Sequence, residues 1–400
     1  MPFIRNLFLF CCFFPYIAFL PIFETDLQPY ALLLATVLFT ISKDRKPREL
    51  WFLMLPGLFC FGLLLADEIS LFGLRVTASY ISIWLISSAT YSVLRADGGV
   101  GLIKRHLNWS VYLWLVVGCI QFFFDKTFAS SVVPNMSTDH ARGVTSLATE
   151  PSFYGIMCIF FLLLNYTFNN NNRILAAIIL FQLIFLAQSS VAILMIVFLP
   201  VYAFIFMSSR KALIFTALFV VFLPAMSSWA LMTFEDNRAI YLLQSILNDP
   251  LSVLNNDVSV NARMSHMLFS LYGFFDNWLL PHGFNNFDEY VAKSLFSSNS
   301  GYIWLGLIQK DVKIMSGYGA ALFELGILGL ILPIAITLII RRAYCNDFRK
   351  FLVLSFFLNT ILFGAIQLSL PLLAVLIGSY SFAATVAPKG NTPIIRGLDK

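Results

Sequence analysis

Apolar residues come in long runs along this chain, without the strict alternation of an exposed strand or the single apolar stripe of a soluble helix, and short polar breaks separate them. A helix needs about 20 apolar residues to cross the hydrocarbon core of a bilayer. Bounded by charged and turn residues, the runs predict helices at 7–23, 27–42, 50–66, 69–94, 107–124, 151–168, 173–188, 191–207, 212–232, 314–340, 351–368 and 370–387. The last two share one run, in which Pro371 predicts a tight turn or broken helix near Gln367. The 173–207 run splits similarly around Gln188, Ser189 and Ser190. The expectation is an all-α polytopic membrane protein of about twelve transmembrane helices, a single integral domain over 1–400, with the N-terminal run as its first span.

Composition strengthens this picture. With 59% hydrophobic residues, 12% charged and a mean hydropathy of +0.82, no soluble catalytic domain fits beside the spans. The net charge of +5 points to no nucleic-acid partner, because in a membrane chain the placement of Lys and Arg is what informs. With both termini cytoplasmic, 18 of the 26 fall on the cytoplasmic side. The remainder are Arg75 within a span and Lys126, Arg142, Arg238, Arg263, Lys293, Lys310 and Lys313 in outward loops. Five of the six cysteines lie in apolar stretches, so neither a disulfide framework nor a thiolate metal site is indicated.

Two outward segments are too long to be simple turns, a first loop at 125–150 and a large one at 233–313. Chemistry is expected there. The larger loop has helix-like stretches around 238–247 and 262–275, then PHGFNNF and the amphipathic YIWLGLIQ, which suggests that part of it lies on the membrane surface. At the end of the first loop, Glu150 precedes Pro151 at a helix start, where the helix dipole favours a carboxylate. Arg142 stands eight residues upstream, and an Arg, a Glu and a helix N-terminus together suit an anionic sugar phosphate.

An Arg, small residues and then Glu-Pro-Ser-Phe opening a membrane helix (ARGVTSLATEPSF) resembles the O-antigen and capsular polysaccharide polymerases, the Wzy-type proteins of bacterial inner membranes. Asn261-Ala262-Arg263 followed by Pro281-His282-Gly283-Phe284 and Phe287 looks like their second periplasmic loop. SGYGAALFELGILGL at 316–330 resembles the helix after it, and the AQSS break at 187–190 their Ser-rich turn. The resemblance covers roughly 105–385 and implies an integral-membrane glycosyltransferase of GT-C-like architecture, with its active site on the periplasmic side. Such an enzyme would transfer a growing glycan from undecaprenyl diphosphate to a new lipid-linked repeat unit, with membrane lipid and a chain-length regulator protein as partners. The related O-antigen ligases, which place the glycan on lipid A core, share the plan. A flippase or transporter is the reading from a different class, though it should concentrate charge at midplane around broken helices.

Transfer of this kind expels a diphosphate, and arginine binds phosphate oxygens through a two-pronged fork. Arg142, Arg263 and Arg238 are the candidates, with Arg75, about six residues into its span, as a further diphosphate contact. Candidate bases for the attacking hydroxyl are Glu150, His282 and His140. Glu324, about ten residues into the tenth span, reads as an interhelical hydrogen-bonding group near midplane, with Gly317, Gly319, Gly326 and Gly329 allowing close helix approach. Glu24-Thr25-Asp26 imitates a metal-binding carboxylate pair, but the resemblance implies transfer with no metal or other cofactor.

Overall fold

The structure, a computed structural model, describes residues 1–19, 26–66, 69–137, 143–169, 172–189, 257–297, 314–364 and 366–386, together with 245, 248 and 249. Among the described residues every regular element is a helix. In chain order they are α1 (Pro2–Phe13), α2 (Tyr30–Ile41), α3 (Arg48–Phe52), α4 (Met54–Ala66), α5 (Leu71–Arg95), α6 (Gly99–Phe123), α7 (Pro151–Phe168) and α8 (Arg173–Phe181). Beyond these come α9 (Val258–Asp276), α10 (Phe287–Ser297), α11 (Gly317–Leu325), α12 (Ile331–Ala343), α13 (Phe348–Gly364) and α14 (Pro371–Val386). A π-helical turn, Gln182–Ala187, extends α8, and a 3-10 turn, Gly326–Leu330, joins α11 to α12.

Five helical stretches are long and apolar enough to cross a membrane: Arg48–Ala66, Leu71–Arg95, Gly99–Phe123, Pro151–Phe168 and Gly317–Ala343. Large apolar side chains such as Phe61, Leu65, Trp109, Val116 and Ile334 stand exposed on these stretches, as a surface bathed in lipid requires. The chain is therefore a helical membrane protein.

At the centre stands α5, which packs against α2, α4 and, most extensively, α14. Lipid supplies no hydrophobic drive for helices to associate, so close approach of small residues has to supply it. Ser79, Ser82, Ser87, Ser88, Thr90 and Ser92 of α5 are all buried. The Ser87 hydroxyl donates to the Ala374 carbonyl of α14 at 3.0 Å, and a Cβ at Gly378 would run into the Ser87 carbonyl. The C-terminal end of α5 lies where polar groups gather: Glu49 pairs with Arg342, and Lys46 bonds Ser42 and Ser92. The N-terminal end of α5 meets the stretch between α9 and α10, where Phe284 stands 3.6 Å from the place a Cβ at Gly73 would take.

Several expected boundaries need correction. The first helix ends at Phe13, not 23; Pro15 and Tyr16 form a turn. Its twelve residues rise only about 18 Å, short of a bilayer core. α6 begins at Gly99, eight residues before its expected start, so Lys104 and Arg105 sit within the helix and not in a loop. The tenth span is broken at Gly326, whose φ of +60° ends α11. The expected helices at 191–207 and 212–232 lie outside the described residues, as does nearly all of 238–247 and the whole YIWLGLIQ stretch.

Candidate functional site

Residues 143–150 were expected as part of an outward loop, yet every one from Gly143 to Thr149 is buried. The reason is a set of polar anchors. Gln121 of α6 accepts from the Ser146 amide at 2.6 Å and donates to the carbonyls of Ser146 and Phe128. The Ser146 hydroxyl donates to the Trp114 carbonyl at 2.7 Å. The Val144 amide donates to the Leu186 carbonyl at 2.8 Å, and a Cβ at Gly143 would overlap the Ala187 carbonyl. The small-residue segment before Glu-Pro-Ser and the break at Ala187-Gln188 are thus one packed unit, and Gln188 takes φ +45° at its edge.

Glu150 follows at the N-cap of α7 and accepts from the Ser152 hydroxyl at 3.0 Å, a position where a carboxylate also meets the positive end of the helix dipole. Beside it lies a small hollow lined by Tyr16, Asp26, Phe153 and Gln367 among others. Burial, and secondarily the negative charge of Glu150, raise the Asp26 carboxyl above its ordinary pKa. Arg142 and His140 lie outside the described residues, immediately before this segment, and so does Glu24.

The second assembly joins PHGF to the Glu-Leu-Gly-x-x-Gly helix. The last carbonyls of a helix have no partner within it, and in a membrane they must find one. The His282 amide donates to the Phe323 carbonyl at 3.0 Å, the Gly283 amide to that of Glu324 at 3.3 Å, and the Ile327 amide to that of Leu279 at 2.8 Å. The strap 279–283 therefore caps the end of α11, and Gly326 lies so close to Leu279, Leu280 and Pro281 that a side chain there would collide with the backbone. The His282 ring stacks on Phe323, centroids 4.3 Å apart, and its Nε2 donates to the Gly273 carbonyl at 2.8 Å. That bond fixes the tautomer and leaves Nδ1 as the basic nitrogen, so a base role for His282 belongs to Nδ1.

Arg263 lies half-buried on α9, the helix that packs along α11. Three residues on, the fully buried His266 accepts from the Met315 amide at 3.2 Å through Nδ1, tying α9 to the start of α11. Burial pushes the His266 pKa down to about 4. Sequence reading passed over His266; its i, i+3 spacing from Arg263, which puts both on one side of a helix, was the available signal. Ser316 caps α11 by accepting from the Gly319 amide.

Glu324, expected as an interhelical hydrogen-bonding group, lies on α11 directly beneath this strap. Tyr80 of α5 donates to its Oε2 at 2.6 Å, and both side chains are buried. Glu324 lines two hollows. One is shared with Phe72, Gly283, Asn285 and Asp288; the other with Ser79, Tyr80 and Gln367. Since Gln367 also lines the Asp26 hollow, the three form a row across the end of the bundle marked by the N-terminus of α5. Neither Glu150 nor His282 lines any of the three. Arg75 stands exposed on α5 next to Val76, a wall of the middle hollow. Arg238 lies outside the described residues. Among the described residues no three His, Cys, Asp or Glu side chains gather as a metal site would require.

No protein-family model matches the chain, and no curated protein matches it in sequence.

Proposed function

We propose that this protein is a surface-polysaccharide polymerase of the bacterial inner membrane. It joins a growing glycan, carried on undecaprenyl diphosphate, to a new lipid-linked repeat unit on the periplasmic side. The reading takes the chain as a GT-C-like bundle of about twelve spans with both termini cytoplasmic. One observation supports it above others: the segment bearing Arg263, His266 and His282 folds down onto a span broken at Gly326, over hollows lined by Glu324. A substrate with its carrier in lipid and its sugars in water needs polar chemistry at that boundary, with a cation within reach of the departing diphosphate. Arg263 supplies the cation on α9, and Arg142, Arg238 and Arg75 are further candidates. In this reading transfer needs no metal, since arginines carry the diphosphate charge.

The test is a reconstituted assay in which purified protein in lipid receives lipid-linked repeat units and the products are separated by size. A ladder of lengthened glycans that persists in chelator is the expected result. Transfer only when lipid A core is present would make the protein a ligase, and movement of the substrate across the bilayer without a new bond would make it a flippase. Arg263→Ala should lower the rate about a hundredfold, and Arg263→Lys should recover only part, keeping the charge but losing the fork. Native Cys345 is exposed and, with cytoplasmic termini, should stay unlabelled by an impermeant thiol reagent in sealed right-side-out vesicles.

A further inference from the structure

We propose that Glu324 is the proton acceptor of the transfer reaction, taking the proton of the acceptor sugar hydroxyl as it attacks, with Tyr80 holding the carboxylate in place. The proposal rests on the polymerase reading and adds to it the residue that does the acid–base work.

Three observations carry it. Glu324 lines two adjoining hollows, one walled by the strap through Gly283 and Asn285 and the other by α5 through Ser79 and Tyr80. Its position is fixed at both levels: the backbone carbonyl accepts from Gly283, and Oε2 accepts from Tyr80. A base must be held to within a fraction of an ångström of its working geometry, and a carboxylate hydrogen-bonded by a buried phenol meets that demand. The third observation concerns the competing candidates. Glu150, at the cap of α7 beside Ser152, lines neither hollow, and neither does His282. Beneath the strap, Glu324 is the carboxylate facing both hollows.

The reaction step is balanced without a co-reactant. The acceptor oxygen forms a bond to the anomeric carbon of the donor sugar, and the bond from that carbon to the diphosphate oxygen breaks. The bonding pair leaves on the diphosphate, and the hydroxyl proton passes to a Glu324 oxygen. Water at the edge of the hollow then takes the proton and resets the carboxylate.

In the reconstituted assay, Glu324→Gln preserves shape and still accepts from Tyr80 but cannot take a proton. Its kcat should fall at least a hundredfold while the KM for the lipid-linked substrate stays within about threefold. Glu324→Ala should be equally slow and should recover at least tenfold when formate is added, because a small carboxylate can occupy the vacated space. A purely structural role would give no such recovery. Glu324→Gln working within threefold of wild type, or a slow Glu324→Ala that formate does not rescue, overturns the proposal while leaving polymerisation intact. A wild-type protein that makes no ladder overturns the polymerase reading itself and this proposal with it.

Discussion

The segment 143–150 and the strap 279–283 are both irregular stretches that dock on broken helices, yet they are built for different ends. The first is buried throughout and tied by Gln121, Ser146 and Val144 to α6 and the π-turn. The second is partly exposed, caps α11 with two amides, accepts the Ile327 amide at Leu279, and roofs a hollow with Glu324 in its wall. Irregular backbone at membrane depth is tolerated where protein buries it or where it lines a cavity. The buried segment serves as scaffold, whereas in the proposed reading the strap bears on the chemistry.

Substitution at the two close backbone contacts tests this division most severely. Gly326 takes φ +60° and has no space for a Cβ against Leu279, so Gly326→Ala should cost about 3 kcal/mol or more and abolish transfer. Gly143→Ala, which meets the Ala187 carbonyl, should also lower the melting temperature in detergent. Molecules of Gly143→Ala that remain folded should still transfer. Equal loss of activity per folded molecule in both variants would dissolve the distinction.

His266 gives the strap side a pH dependence of its own. Its pKa drops from an ordinary 6.5 to about 4 in the folded protein, so the unfolded chain binds the proton first as pH falls. The stability this represents is complete above about 6.5 and is lost as pH falls toward 4, up to about 3 kcal/mol in all. Melting temperatures at pH 7.5 and pH 5 should therefore differ more in wild type than in His266→Gln. Equal differences would show that the buried ring carries no such linkage.

How much of this was legible in the sequence follows from where the determining forces lie. Spans such as Leu71–Arg95 and Pro151–Phe168 announce themselves, because apolar length alone selects a membrane helix and Ser70 and Pro151 mark their starts. The break at Gly326 does not, since Glu-Leu-Gly-Ile-Leu-Gly-Leu is as apolar as a continuous helix and only the amides and carbonyls of a distant strap end it. The partnership of Tyr80 with Glu324 spans 244 positions and leaves no local trace. The sequence Gly-Val-Thr-Ser-Leu-Ala-Thr has loop composition, and its burial depends on Gln121, which reads from sequence as an ordinary polar residue near a helix end. The motifs were visible singly; which pairs of them meet was set by tertiary contacts.

Gln121 offers a cleaner probe of the scaffold. Gln121→Ala strands the Ser146 amide and two carbonyls in a buried site, each costly to leave unpaired, for a loss of about 2 kcal/mol. The rate per folded molecule should stay within twofold, because the hydrogen bonds of Gln121 reach neither α11 nor the strap. A tenfold fall in rate without loss of stability would mean that the scaffold also sets the geometry of the reacting groups.

The smallest effect is expected at Tyr290, on the outer side of the strap. Its ring lies against His282 and Phe323, centroids 5.3 and 5.6 Å away, and its hydroxyl donates to Asp276 at the end of α9. Burial, and after it the bond to Asp276, raise the phenol pKa, so the hydroxyl stays protonated and the bond survives across the working pH range. Tyr290→Phe keeps the ring contacts and removes only a bond at an exposed carboxylate, where water can replace the lost donor. The cost should be no more than about 1 kcal/mol in thermal unfolding, with transfer unchanged within twofold. Should the rate instead drop tenfold while the melting temperature holds, the tie between α9 and α10 would be part of what positions the strap over Glu324. The strap would then need support from both of its flanking helices, in contrast to the 143–150 segment, which the bundle fixes directly.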